Sequence, residues 1–172
     1  MAMFNVFFDA SGAPDDCEAV VVAGFVATAE QWIEFQRNWE DALRAYGVSE
    51  LHMRHYAHSL KEYASWKGDQ HKRRRFLERL INIIKTRVRH SFVNSVMMDG
   101  YRQVDQRYVL NETNKPYALA GIACLNKVNK WAAQWGIDQK TIAYMFEDGD
   151  KDKSDLTRSV ERNLVLLRST EG

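Results

Sequence analysis

Along the first residues Phe4, Val6 and Phe8 alternate with Asn5 and Phe7, a period of two that predicts a strand over Met3–Gly12 with at least one face buried. Asp9 falls where that strand meets a turn rich in Ala, Ser, Gly and Pro. Ala19–Ala27 is an apolar run rich in β-branched residues. It predicts a second strand, buried on both faces and antiparallel to the first. Gly24 inside it would weaken the strand unless it marks a bulge or lets another backbone come close.

The period then changes. Thr28 and Gln31 are spaced as a capping box, and Trp32, Phe35, Trp39, Leu43 and Tyr46 recur at helical intervals as far as Gly47. This predicts an amphipathic helix lying on the sheet, its aromatic stripe being core rather than a base-stacking surface. In Glu50–His55 polar and apolar residues alternate, so a strand there would put Glu50, His52 and Arg54 on one face. Ser59–Asp69 reads as a polar connection with Tyr63 and Trp66 embedded in it. A long helix is predicted from His71, with Phe76, Leu77, Leu80, Ile81, Ile84 and Val88 as its buried stripe.

Ser91–Met98 predicts a strand neighbouring the opening pair, Asp99-Gly100 a turn, and Tyr101–Val109 a short helix. After a loop at Asn111–Lys115, Pro116 is placed to start a helix with Tyr117, Gly121, Cys124, Val128, Trp131 and Trp135 along one side, up to Gly136. Thr141–Phe146 predicts a further strand, and its arrival from a helix suggests a parallel partner for the first. It runs into Glu147-Asp148-Gly149-Asp150. A last helix is predicted from Ser154 or Asp155 through Leu164 to Leu167.

Composition adds bounds. With 172 residues, 45% hydrophobic and 27% charged, and only two prolines, the chain fits one α/β domain spanning 1–172 with a single sizeable core. Its 24 Lys and Arg against 23 Asp and Glu leave a net charge of +1, so any argument for a polyanionic partner must be local. Between Asp69 and His90 there are eight Lys and Arg against two acids, with Lys72, Arg75 and Arg79 on one side of the predicted helix. That side is either a phosphate-tracking face or an ordinary solvated one. Cys17 and Cys124 follow no ligand spacing, and neither a signal peptide nor a long apolar span is seen. The expectation is free thiols in a reducing cytoplasm, with no membrane association. No internal repeat or phosphate-cradling glycine loop stands out.

The candidate chemistry lies at strand ends. A buried Asp9 would need a partner, and a metal ion is one; alternatively it caps the turn through its own backbone. If the first and last strands are adjacent, Asp9 and the Glu147–Asp150 cluster converge at one edge of the sheet. Hard oxygen ligands with room for water favour Mg²⁺ or Mn²⁺. Such a site suits phosphodiester hydrolysis with two ions about 3.5 to 4 Å apart. The expected ligands are Asp9, Glu147, Asp148 and Asp150, and the candidate catalytic residues are Asp9, Glu147, Asp150 and His52. His52 could be a ligand or proton carrier, or simply hydrogen-bonded, and His55 and His58 rank below it. Zinc would want closer convergence of Cys and His. A calcium loop begun at Asp148 fails, since it would need Gly where Lys153 stands and Glu where Ser159 stands.

Five stretches carry a resemblance: Phe8-Asp9-Ala10-Ser11-Gly12, Val22-Ala23-Gly24-Phe25, Leu51-His52-Met53, Phe76-Leu77-Glu78-Arg79-Leu80-Ile81 and Phe146-Glu147-Asp148-Gly149-Asp150-Lys151. In this order they resemble the predicted ribonuclease-H-like proteins of domain-of-unknown-function family 3800. The resemblance implies a ribonuclease-H-like mixed sheet with flanking helices, a carboxylate metal site and nuclease activity, often in phage or mobile-element settings. Three positions depart from the family's pattern. Its opening motif reads Asp-Glu-Ser-Gly where Ala10 stands here, and the acid after its His-Met pair is His55 here. Its later Gln-Ala-Ala-Asp-like helix is missing before the sequence stops at Gly172. The expectation is therefore a metal-dependent nuclease, either intact in function, weakened or inactive, or completed by a partner chain. The alternative is a non-catalytic nucleic-acid-binding or protein-interaction module that keeps the fold. A homodimer through apolar surface left bare by the missing helix is a third reading.

Overall fold

The computed structural model describes residues 3–12, 17–109 and 115–146. They form strands β1 (Phe4–Ser11), β2 (Ala19–Thr28), β3 (His90–Met97) and β4 (Ile142–Phe146). The helices are α1 (Ala29–Tyr46), α2 (Met53–Ala57), α3 (Gln70–Arg87), α4 (Met98–Tyr108) and α5 (Pro116–Gln134). The sheet runs β3-β2-β1-β4. β2 and β3 are antiparallel, from Ala19 opposite Met97 to Val26 opposite His90. β1 and β4 are parallel, from Phe4 opposite Ile142 to Phe8 opposite Phe146. The protein is thus α/β with a mixed sheet. The third strand joins the opening pair, and the last lies parallel to the first, as the pattern anticipates.

These residues sort into two compact units, Met1–Val26 with His90–Gly172, and Ala27–Arg89. In the sheet unit the period of two sends Val6, Phe8, Val20, Val22 and Phe92 to one face, where they pack with Tyr117, Cys124, Val128 and Trp131 of α5. Pro116 opens α5 at its first turn. The Cys124 thiol donates to the Val22 carbonyl at 3.2 Å. Burial pushes its pKa up, so this thiol is packing rather than a nucleophile. Gly24 answers to close approach: a Cβ there would stand 2.3 Å from the Phe8 ring and 2.7 Å from the Phe7 carbonyl oxygen.

The second unit is helical. Gln31 N–H donates to Thr28 Oγ1 at 3.2 Å and Thr28 N–H to Gln31 Oε1 at 3.0 Å, completing the capping box. Gly47 closes α1 in the left-handed region at φ 69°. Asp69 caps α3 by accepting from Lys72 N–H at 2.9 Å. The core of this unit is aromatic: Tyr63, Trp66 and Phe76 are nearly fully buried, with Leu43 and Leu80 beside them. The Tyr63 hydroxyl donates to the Glu50 carbonyl at 2.6 Å.

Several expectations give way here. The stripe of α1 does not serve the core of the sheet: Phe35, Trp39, Leu43 and Tyr46 pack in the helical unit's own core, with the Tyr46 and Phe76 rings 5.1 Å apart. Tyr63 and Trp66, read as part of a polar connection, sit on a 3-10 turn (Lys61–Trp66) and are among the largest buried side chains. Glu50–His55 is not a strand; Met53–Ala57 is helical, closed first by Tyr56 N–H donating to the His52 carbonyl at 2.9 Å. Burial of Tyr56 decides this, since a helical turn sends its ring into the aromatic core. Met98–Gly100 begins α4 instead of forming a turn. Ile81 and Trp135 are exposed, the latter because it stands at the end of α5, where the helix has run past its core.

Candidate functional site at the end of β1

Asp9 lies near the end of β1, at a position where the period of two turns its side chain away from the Phe8 side. It is exposed, so no burial cost demands a counter-ion. Its Oδ1 accepts from Ala10 N–H at 2.7 Å. That bond fixes one oxygen and leaves lone pairs on both for another partner. Gly12, just past the strand, is tight: it has φ 98°, and a Cβ there would meet the Ala19 carbonyl oxygen at 2.4 Å. Only glycine fits that backbone.

The parallel register carries β4 to the same edge. Phe8 stands opposite Phe146, and their rings stack with centroids 4.9 Å apart and planes 17° from parallel. Both strands therefore end at one side of the sheet, with Asp9 following Phe8 and Glu147 following Phe146 in sequence. Glu147, Asp148 and Asp150 themselves lie outside the described residues. Among the described residues no group of three or more His, Cys, Asp or Glu could hold a metal ion.

His52 belongs to the helical unit, exposed at the start of α2. Its ring stacks on that of His55, with centroids 4.0 Å apart. Desolvation holds the His55 pKa below 6.5, aided by the neighbouring positive groups His52, Lys61 and Arg54 and opposed by Glu50. The neutral imidazole is thereby favoured.

The basic helix α3 divides by function. Lys72 places its Nζ over the Trp66 ring, 4.5 Å from the centroid. Arg73 is structural: it donates to Ser59 Oγ at 2.6 Å and lies over the Tyr56 ring. Arg74 pairs with Glu78 one turn on at 2.8 Å, and Arg87 with Glu34 of α1. Arg75 and Arg79 are exposed at successive turns of α3, without an ion pair among the described residues. Lys72 reaches back to the ring of Trp66 and Arg73 to that of Tyr56, and charge spacing gives no sign of either contact.

No family model matches the chain, and no curated protein or solved structure matches it either. No helix among the described residues is long and apolar enough to cross a membrane.

Proposed function

We propose that the protein is a divalent-metal-dependent phosphodiester hydrolase acting on nucleic acid, with a ribonuclease-H-like arrangement of its sheet. One observation carries this reading: the in-register parallel pairing of β1 and β4, which ends both strands at one edge with Asp9 on the first. The resemblance of five sequence stretches to domain-of-unknown-function family 3800 supports it from a second direction. Asp9 fits a hard cation as one ligand, because its carboxylate is exposed and only one oxygen is engaged. Glu147, Asp148 and Asp150 would supply the remaining oxygens. Mg²⁺ or Mn²⁺ held there would supply an activated water and charge stabilisation at the leaving oxygen. The Ala10 N–H orients the Asp9 carboxylate.

Labelled single- and double-stranded RNA and DNA, incubated with the protein in Mg²⁺ or Mn²⁺, test the reading. Cleavage is expected with wild type, and Asp9→Asn should lower it by about 100-fold or more, since even groups that only orient a metal ligand are worth about 10 to 100-fold. Absence of cleavage on all four substrates removes the enzymatic claim.

A second reading is favoured by Arg75 and Arg79, which are exposed on α3 without acidic partners among the described residues. It takes the protein as a non-catalytic module tracking a phosphate backbone. Binding would weaken with salt, and Arg75→Gln with Arg79→Gln would reduce the slope of log affinity against log salt by about 2 for duplex DNA. Unchanged affinity in the double variant rules out this face.

A further inference from the structure

The order β3-β2-β1-β4 gives β3 a partner strand on one side and, among the described residues, none on the other. In an antiparallel pair, residues alternate between turning both backbone groups toward the partner strand and turning both away. Met98 N–H, just past β3, donates to the Glu18 carbonyl at 2.9 Å. That bond continues the pairing of Val96 opposite Val20 and Asn94 opposite Val22, so the even positions face β2. Ser91, Val93 and Ser95 therefore turn their N–H and C=O groups outward, along an edge that could accept another strand. Ser91–Met97, Ser-Phe-Val-Asn-Ser-Val-Met, holds no charge, proline or glycine to discourage such pairing. One group on this edge is already engaged. Lys127 of α5 donates from Nζ to the Val93 carbonyl oxygen at 2.5 Å, at the middle of the outward set.

We propose that Lys127 guards this edge: by holding the Val93 carbonyl it keeps β3 from pairing with the β3 strand of a second copy of the chain. An added strand would bring an amide nitrogen to about 2.9 Å from that oxygen, into space that Nζ already fills. Enclosing the ammonium under a docked strand would strip it of water, which is costly without an anionic partner. Antiparallel pairing about a two-fold axis at Val93 would set Val93 against Val93 and Ser91 against Ser95. Both Lys127 ammonium groups would then meet near the axis, and like charges placed opposite one another are destabilising. Edge strands are commonly protected by a lysine of their own; here the strand carries none and the helix packed on it supplies one. The inference is independent of the nuclease reading, since it uses neither the carboxylates nor α3.

Hydrogen exchange of the full chain, followed by mass spectrometry at increasing protein concentration, tests it. In wild type the amides of 91–97 should exchange at one rate over about a 100-fold range of concentration. In Lys127→Ala they should slow by about ten-fold or more as concentration rises, with a matching rise in sedimentation coefficient. Lys127→Arg, which keeps a charged donor, should behave as wild type. So should Lys130→Ala, which removes an equal charge from an exposed position of α5. Adding Ser95→Pro to Lys127→Ala takes away an outward N–H and should abolish the concentration dependence. Should proline unfold the sheet, Ser95→Lys takes its place, putting a charge on the edge itself. Wild-type 91–97 amides that already gain protection with concentration overturn the proposal, as does Lys127→Ala without any such gain. A gain that Lys130→Ala shares, or that survives the Ser95 variants, overturns it as well.

Discussion

Gly24 and Tyr144 show what single side chains contribute. At Gly24 a methyl group would sit 2.3 Å from the Phe8 ring and 2.7 Å from the Phe7 carbonyl oxygen. Gly24→Ala should therefore lower stability by about 1 to 3 kcal/mol, the usual cost of overpacking, read as a lower urea midpoint with the same slope. Tyr144 donates its hydroxyl to Asn129 Oδ1 at 3.0 Å, and burial pushes its pKa from 10.0 up to about 12. The neutral phenol is the form the fold favours. Stability from this group is complete below pH 10 and is lost as pH rises from 10 toward 12. In an absorbance titration, a tyrosine transition near pH 12 should disappear in Tyr144→Phe. Glycine inside a β-branched run already announces a close approach, whereas nothing in the sequence around Tyr144 announces Asn129. Their bond exists only because α5 and β4 pack side by side.

Elements were legible wherever the signal is local. The Thr28 capping box and the Gly47 stop bracket α1 within a few residues, and both capping bonds form. Thr28→Ala should cost about 1 kcal/mol, measured by thermal or urea unfolding. Residues 50–57 were not legible, because alternation over so few positions suits a strand as well as a turn of helix beginning with a buried aromatic. The helical outcome stacks His52 on His55, and with it comes a pH response. His55 should titrate below 6.5 by NMR. His52→Ala should raise that value only partway back, since desolvation is the larger cause. Because the folded state disfavours the charged form, stability from His55 is present above pH 6.5 and falls as pH drops through the window below it.

At the scale of the molecule, the described residues build two hydrophobic cores that share no residue, one around the sheet and α5 and one around the aromatic cluster of Ala27–Arg89. Phe76→Ala should cost about 3 to 5 kcal/mol, with the loss concentrated in amides of 27–89 when hydrogen exchange is followed residue by residue. Outside residues 50–66, the apolar period along the chain determined by itself where the described strands and long helices form, which glycines stop or crowd them, and that a lone aspartate lies near the end of the first strand. It could not determine against what each stripe packs, because a period reports that a face is buried and carries no address for its partner. Only tertiary structure sent the α1 stripe to the aromatic core, left Asp9 exposed and turned Lys72 and Arg73 onto aromatic rings. Those outcomes depend on which side chains the fold brings together, and such contacts exist only once the chain has closed on itself.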